Sequence, residues 1–178
     1  TATPTPLPTA TPTPTPIPGY FNIAGAVRAN GVGLSNVEIT LVAGQETITR
    51  FSGTNGEFRF DNILGPVNFT ITAVKSGYTI DGFSGYLSSD RSLNLNAQAK
   101  RYILSALVLS TEGAPLAGVS VSAGPLGTVL TDSLGQAALQ VDYGTNYSLS
   151  ALSPDHVFNR GTLSGTIYGD VTRVLIGQ

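Results

Sequence analysis

The chain has 178 residues, of which only 11% are charged, and a formal net charge of −2; no basic surface is on offer to phosphates or an anionic bilayer, which argues against nucleic acid as a partner. It contains no cysteine, methionine or tryptophan, which rules out disulfides, thiolate metal sites and cysteine nucleophiles. No apolar run approaches the roughly 20 residues of a transmembrane helix, so no membrane insertion is expected within this segment.

The chain opens TATPTPLPTATPTPTPIP. Alternating proline removes backbone donors and fixes φ, so this tract can build neither helix nor sheet and is expected near polyproline II. At ~3.1 Å per residue it would span roughly 55 Å if straight. We read residues 1–19 as an extended Thr-Pro-rich linker. Such composition marks O-glycosylated stalks, and with three residues per turn, hydroxyls on alternate residues point to every side of the rod. Thr3, Thr5, Thr11, Thr13 and Thr15 are the expected sugar carriers. Leu7 and Ile17, the only large apolar residues of the tract, are candidate assembly contacts. The absence of methionine leads us to expect an excerpt or the product of a cleaved leader, secreted or at the cell surface.

From Tyr20 onward, runs punctuated by glycine alternate apolar and polar residues with period two, and no helical periodicity is evident. NVEITLVAG (Asn36 to Gly44) places Val37, Ile39 and Leu41 on one face; TNG at Thr54 to Gly56 signals a tight turn before EFRF; NFTITAV (Asn68 to Val74) sets Phe69 and Ile71 inward. The second half then repeats the first. FNIAGAV matches YILSALV, GLSNVEIT matches PLAGVSVS, PVNFTITAV matches GTNYSLSAL, and FSGYLSSD matches LSGTIYGD. Only NAQAKR separates the copies, which leaves little slack between them. We expect an all-β chain of two tandem sandwiches at residues 20–99 and 100–178. Their cores are assigned to Ile23, Val27, Val37, Ile39, Phe58, Phe60, Phe69 and Ile71, and to Ile103, Leu107, Val119, Val121, Leu139, Tyr147 and Leu149.

The order Ile23-x-Gly25-x-Val27, Leu34, Val37, Ile39, Gly56-x-Phe58-x-Phe60, Leu64-Gly65, Phe69 and Gly77-Tyr78 resembles the carboxypeptidase-regulatory-like and collagen-adhesin B-type repeats of microbial surface proteins. The second copy departs: Ser105 stands at the first glycine, Ala137 and Leu139 replace the phenylalanines, and Asp155-His156 replaces Gly-Tyr. The resemblance implies seven-stranded, Ig-like or prealbumin-like sandwiches used as stalks, spacers or binding modules. Some such repeats carry a Lys-Asn isopeptide bond from a lysine on the first strand. Here the only lysines are Lys75 and Lys100, neither at that place, so packing alone is expected to hold each sandwich.

Catalytic chemistry is not expected. The single histidine, His156, neighbours Ser153 and Asp155 too closely in sequence for a base to lie between nucleophile and acid. GFSGY and TLSGT are not nucleophile elbows, GVGLSN lacks the third glycine of a dinucleotide loop, and acidic residues lack calcium-loop spacing. No cofactor or metal is expected. Tyr20, Tyr86, Tyr143 and Tyr168 are candidates for a sugar platform, weighed against the ordinary exposure of tyrosine on sandwich edges. Asn68-Phe-Thr70 and Asn146-Tyr-Ser148 are N-glycosylation sequons at equivalent positions, so Asn68 and Asn146 join the candidate glycan sites. Two functions follow as expectations. One is a structural repeat of a secreted stalk or filament that self-associates into a fibre; the other is a carbohydrate-binding or adhesive module tethered by the Thr-Pro linker.

Overall fold

The computed structural model describes residues 18–158 and 162–178. The tract candidates Thr3, Thr5, Leu7, Thr11, Thr13, Thr15 and Ile17 therefore lie outside the described residues. As expected, the chain is all-β. The first half carries β1 (Gly19–Ala29), β2 (Val32–Gly33), β3 (Glu38–Ala43), β4 (Glu46–Phe51), β5 (Glu57–Gly65), β6 (Val67–Val74), β7 (Tyr78–Ile80), β8 (Phe83–Leu87) and β9 (Arg91–Ala99). The second carries β10 (Arg101–Ser110), β11 (Ser120–Ser122), β12 (Thr128–Leu130), β13 (Gln136–Asp142), β14 (Asn146–Leu152), β15 (Leu163–Thr166) and β16 (Val171–Gly177), with a 3-10 turn at Gly124–Leu126.

In each half a sheet built on the first and last strands faces a second sheet. In the first half β1 pairs antiparallel with β5 and parallel with β9, and the facing sheet runs β4-β3-β6-β8. The second half repeats this as β13-β10-β16 and β12-β11-β14-β15. Among the described residues, two segments of the first half lack a strand counterpart in the second. The β1–β2 hairpin turns on Asn30 and Gly31, both at positive φ (49° and 80°), the geometry that an Asn-Gly turn favours; its counterpart is a lone bridge between Leu109 and Pro115. In place of β7, the chain around Val157 exchanges backbone hydrogen bonds with Gln178 at 2.8 and 2.9 Å.

Two separate clusters of buried side chains fill the spaces between sheets. The first holds all eight expected residues, from Ile23 to Ile71, together with Leu41, Ile63, Leu87 and Leu95. Each large side chain buried in this way contributes about 1.5–3 kcal/mol. The second cluster corrects the expectation in phase. Leu104, Ala106 and Val108 are the buried residues of β10, whereas Ile103 is 37% exposed and Leu107 half-buried. The reason lies in register. Ile103 N–H donates to Asp170 Oδ1 at 2.7 Å, as Asn22 N–H donates to Asp90 Oδ1 at 2.8 Å, so Ile103 holds the outward place of Asn22. Leu139 is likewise only half-buried, while Val119, Val121, Tyr147 and Leu149 are buried as expected.

The same register moves the glycine counterpart. Gly25 pairs with Phe58 and Ala106 with Ala137, so Ala106 rather than Ser105 answers to Gly25. A β-carbon on Gly25 would lie 1.9 Å from the Leu93 carbonyl oxygen and 2.8 Å from Phe58 Cζ. Glycine opposite phenylalanine in one copy is thus matched by two alanines in the other, a volume exchange of the kind cores tolerate.

A buried hydroxyl clasps each sandwich at one place. Ser52 Oγ accepts from Val37 N–H at 2.9 Å and donates to the Leu34 carbonyl at 2.7 Å. Thr131 Oγ1 does the same between Val119 N–H (2.9 Å) and the Leu116 carbonyl (2.6 Å). These backbone groups sit where the chain enters the second sheet, and without the hydroxyl they would be buried unpaired.

Candidate functional site

The two halves meet through very little chain. Strand β9 ends at Ala99 and β10 begins at Arg101, leaving Lys100 alone between them; NAQA, read from sequence as connector, belongs to β9. Both peptide groups of that residue are held. Lys100 N–H donates to the Gly77 carbonyl and its own carbonyl accepts from Tyr143 N–H, each at 2.8 Å. Because β9 runs toward this point and β10 away from it, the halves follow one another head to tail.

Four tyrosines converge here. Tyr143 lies edge-on to Tyr78 at 6.0 Å between ring centroids and to Tyr168 at 5.3 Å, and tilted against Tyr102 at 6.4 Å. Such contacts add about 0.5–1.5 kcal/mol each beyond area burial. Gly77 touches the same ring. Its φ is +77°, and a β-carbon there would sit 2.2 Å from Tyr143 Cγ and Cδ1, so both backbone conformation and space require glycine. An exposed ion pair, Arg101 Nε to Asp142 Oδ1 at 3.4 Å, borders the junction and adds little.

Open clefts flank the Tyr78–Tyr143 pair. One, of about 490 Å³, is lined by Asn36, Phe51, Val74, Ser76, Tyr78 and Tyr143 among others; the other, of about 320 Å³, includes Ala29, Val32, Leu34 and Asp142 beside the same two tyrosines. Phe51 and Val74 remain 61% and 68% exposed. Lys75 is engaged nearby, its Nζ donating to the Ser35 carbonyl at 2.8 Å.

The remaining sequence candidates are scattered. Tyr143 and Tyr168 come together at the junction, whereas Tyr20 is the second residue of β1 and Tyr86 lies on β8, so the four proposed platform tyrosines form no single surface. Asn68 and Asn146 are both exposed at equivalent places in β6 and β14. Tyr86 lies opposite Asn68, and Asn146 Oδ1 accepts from Thr166 Oγ1 at 2.7 Å. His156 is half-buried, its Nδ1 without a hydrogen-bond partner among the described residues, and Ser153 Oγ accepts from Asp155 N–H. Sequence reasoning missed Gly77, Tyr78 and Tyr102 as junction residues; the Gly-Tyr pair that follows β6 in the first copy, lost in the second, was the available signal.

No family model matches the chain. A chitinase, ChiA of Flavobacterium johnsoniae, is 31% identical over 108 residues, which is 58% of this chain and 7% of that protein. Among solved structures, the Bacillus anthracis TIE protein aligns over 88% of this chain and 33% of its own, at 14% identity and a TM-score of 0.68. The shaft pilin SpaA of Lactobacillus rhamnosus GG aligns over 89% of this chain and 97% of its own, with 11% identity and a TM-score of 0.43. This chain thus spans a small part of the chitinase and about a third of the TIE protein. The TIE likeness shows the fold.

Proposed function

We propose that the chain is a structural repeat of a secreted or cell-surface stalk or filament: two tandem domains, 20–99 and 100–178, behind a glycosylated Thr-Pro tract. The junction carries this reading. A spacer needs a fixed angle between its units, and here a single residue joins two strands, its N–H and carbonyl each hydrogen-bonded to a flanking loop, with a tyrosine from one half lying on a glycine of the other. A freely hinged module would need none of these contacts. Hydroxyl-bearing residues on the outer faces, such as Thr40 bonded to Thr49 and Thr70 to Ser84, each at 3.0 Å, suit lateral packing or a sugar coat. Self-association follows as a head-to-tail contact that does not close into a ring. Light scattering with electron microscopy tests this: concentration-dependent filaments support it, and a monodisperse monomer at high concentration contradicts it. Intact mass of native material tests the sugar; a mass equal to the bare polypeptide would remove glycans from Thr3, Thr5, Thr11, Thr13, Thr15, Asn68 and Asn146 alike.

The partial likeness to a chitinase favours a second reading, a polysaccharide-binding or adhesive module tethered by the tract. Selective binding on a glycan array would favour it over the stalk.

A further inference from the structure

We propose that the larger junction cleft is a seat for the Thr-Pro tract of a second copy of this chain, with Pro6-Leu7-Pro8 as the anchoring segment. This rests on the filament reading and supplies its contact. Proline-rich segments are recognised in aromatic-lined grooves, because a polyproline II rod is already ordered and offers ring faces and free carbonyls but few N–H groups. The cleft has the matching chemistry. Tyr78 and Tyr143 supply aromatic walls and hydroxyl donors, Ser76 and Asn36 supply further donors, and Phe51 and Val74, the sheet partners of Glu38 on either side, supply exposed apolar surface. Its volume of about 490 Å³ falls within the roughly 300–1,000 Å³ usual for ligand pockets.

The tract matches in pattern. Thr alternates with Pro except at Ala2 and Ala10, which take the place of proline, and at Leu7 and Ile17, which each stand between two prolines. These Pro-Leu-Pro and Pro-Ile-Pro segments bear no glycan-accepting side chain, so a tract clothed elsewhere in sugar still presents bare apolar steps. Ile17 stands only two residues before Gly19, the first residue of β1, in sequence, which leaves Leu7 as the one with reach. Geometry favours a second copy as the source of the tract. Strand β1 runs from Gly19 to Ala29, and Ala29 lines the smaller junction cleft, so Gly19, to which the tract is joined in sequence, lies at the end of the first half remote from the junction. A tract would need to reverse at Gly19 to reach its own cleft, whereas the cleft of a second copy needs no such reversal.

The test is NMR of the full chain, isotope-labelled and unglycosylated, titrated with a synthetic peptide of residues 1–18. We expect shifts at Phe51, Val74, Ser76, Tyr78 and Tyr143. Binding should weaken about tenfold, the equivalent of ~1.4 kcal/mol, for the chain variant Phe51→Ser/Val74→Ser, whose side chains are exposed enough to spare the fold, and likewise for the peptide Leu7→Ser. Diluting the full chain alone should move the same signals toward a free state. No shifts at millimolar peptide, or shifts confined to other surfaces, would overturn the proposal. So would cleft signals in the full chain that ignore concentration, since they would assign the seat to the chain's own tract. The same spectra report the Tyr78–Tyr143 contact, so a failed titration with that contact intact removes the seat and leaves the stalk reading standing.

Discussion

Gly77 and Tyr143 are 66 positions apart in sequence and in direct van der Waals contact, the glycine backbone of one half lying against the aromatic ring of the other. The contact lies beside the Lys100 connection, because Gly77 also accepts the Lys100 N–H. Replacing Gly77 by Ala is therefore expected to do two kinds of damage. The left-handed backbone costs about 1–2 kcal/mol for any non-glycine residue, and the new methyl displaces Tyr143. Gly113→Ala, at φ +85° with open space around it, incurs only the first cost. Thermal denaturation should show the larger loss for Gly77→Ala, with loss of Tyr78–Tyr143 ring contacts by NMR; equal losses at the two sites would contradict a packed junction.

Ser52 and Thr131 perform one task in two copies, so they should be exchangeable. Ser52→Thr and Thr131→Ser are expected to change stability by less than about 1 kcal/mol. Ser52→Ala or Thr131→Val leaves a buried N–H at Val37 or Val119 without its acceptor and should cost ~1–3 kcal/mol by denaturant titration.

The phase of β10 is tested by neighbouring residues. Leu104→Ala should cost about 2–5 kcal/mol as a core truncation, while Ile103→Ser, on the outward side, should stay near ~0.5 kcal/mol. The reverse order would restore the inward Ile103.

Tyr147 carries a buried hydroxyl with no hydrogen-bond partner among the described residues, whereas its counterpart Phe69 fills the same place without a hydroxyl. Tyr147→Phe is expected to leave the fold intact and to raise stability, by up to ~1 kcal/mol; a loss of more than that would mean the hydroxyl is bonded.

The sandwich fold was legible because alternation in NVEITLV and NFTITAV is strict and recurs in the second copy. β10 misled because both phases of YILSALV are apolar: Ile103 and Leu107 compete with Leu104 and Val108, and only Ser105 breaks the tie. The aligned pairs Ile23 with Leu104 and Val27 with Val108 already held the answer, and an acceptor 67 residues away, Asp170, enforces it. The junction was not legible. Ring contacts between Tyr78, Tyr102, Tyr143 and Tyr168 join loops and strand ends that no local period relates, and the sequence showed only that the connector was short.

A fixed angle between the halves is the claim on which the stalk reading stands, and the absence of cysteine allows it to be measured cleanly. Spin labels on cysteines introduced at the exposed positions Ser89 and Glu112, at the outer ends of the two halves, report their separation by pulsed dipolar spectroscopy. The account predicts one narrow distance distribution that broadens when Gly77 is replaced by Val. A broad distribution in the unaltered junction would contradict it and leave a hinged pair of binding modules as the better description.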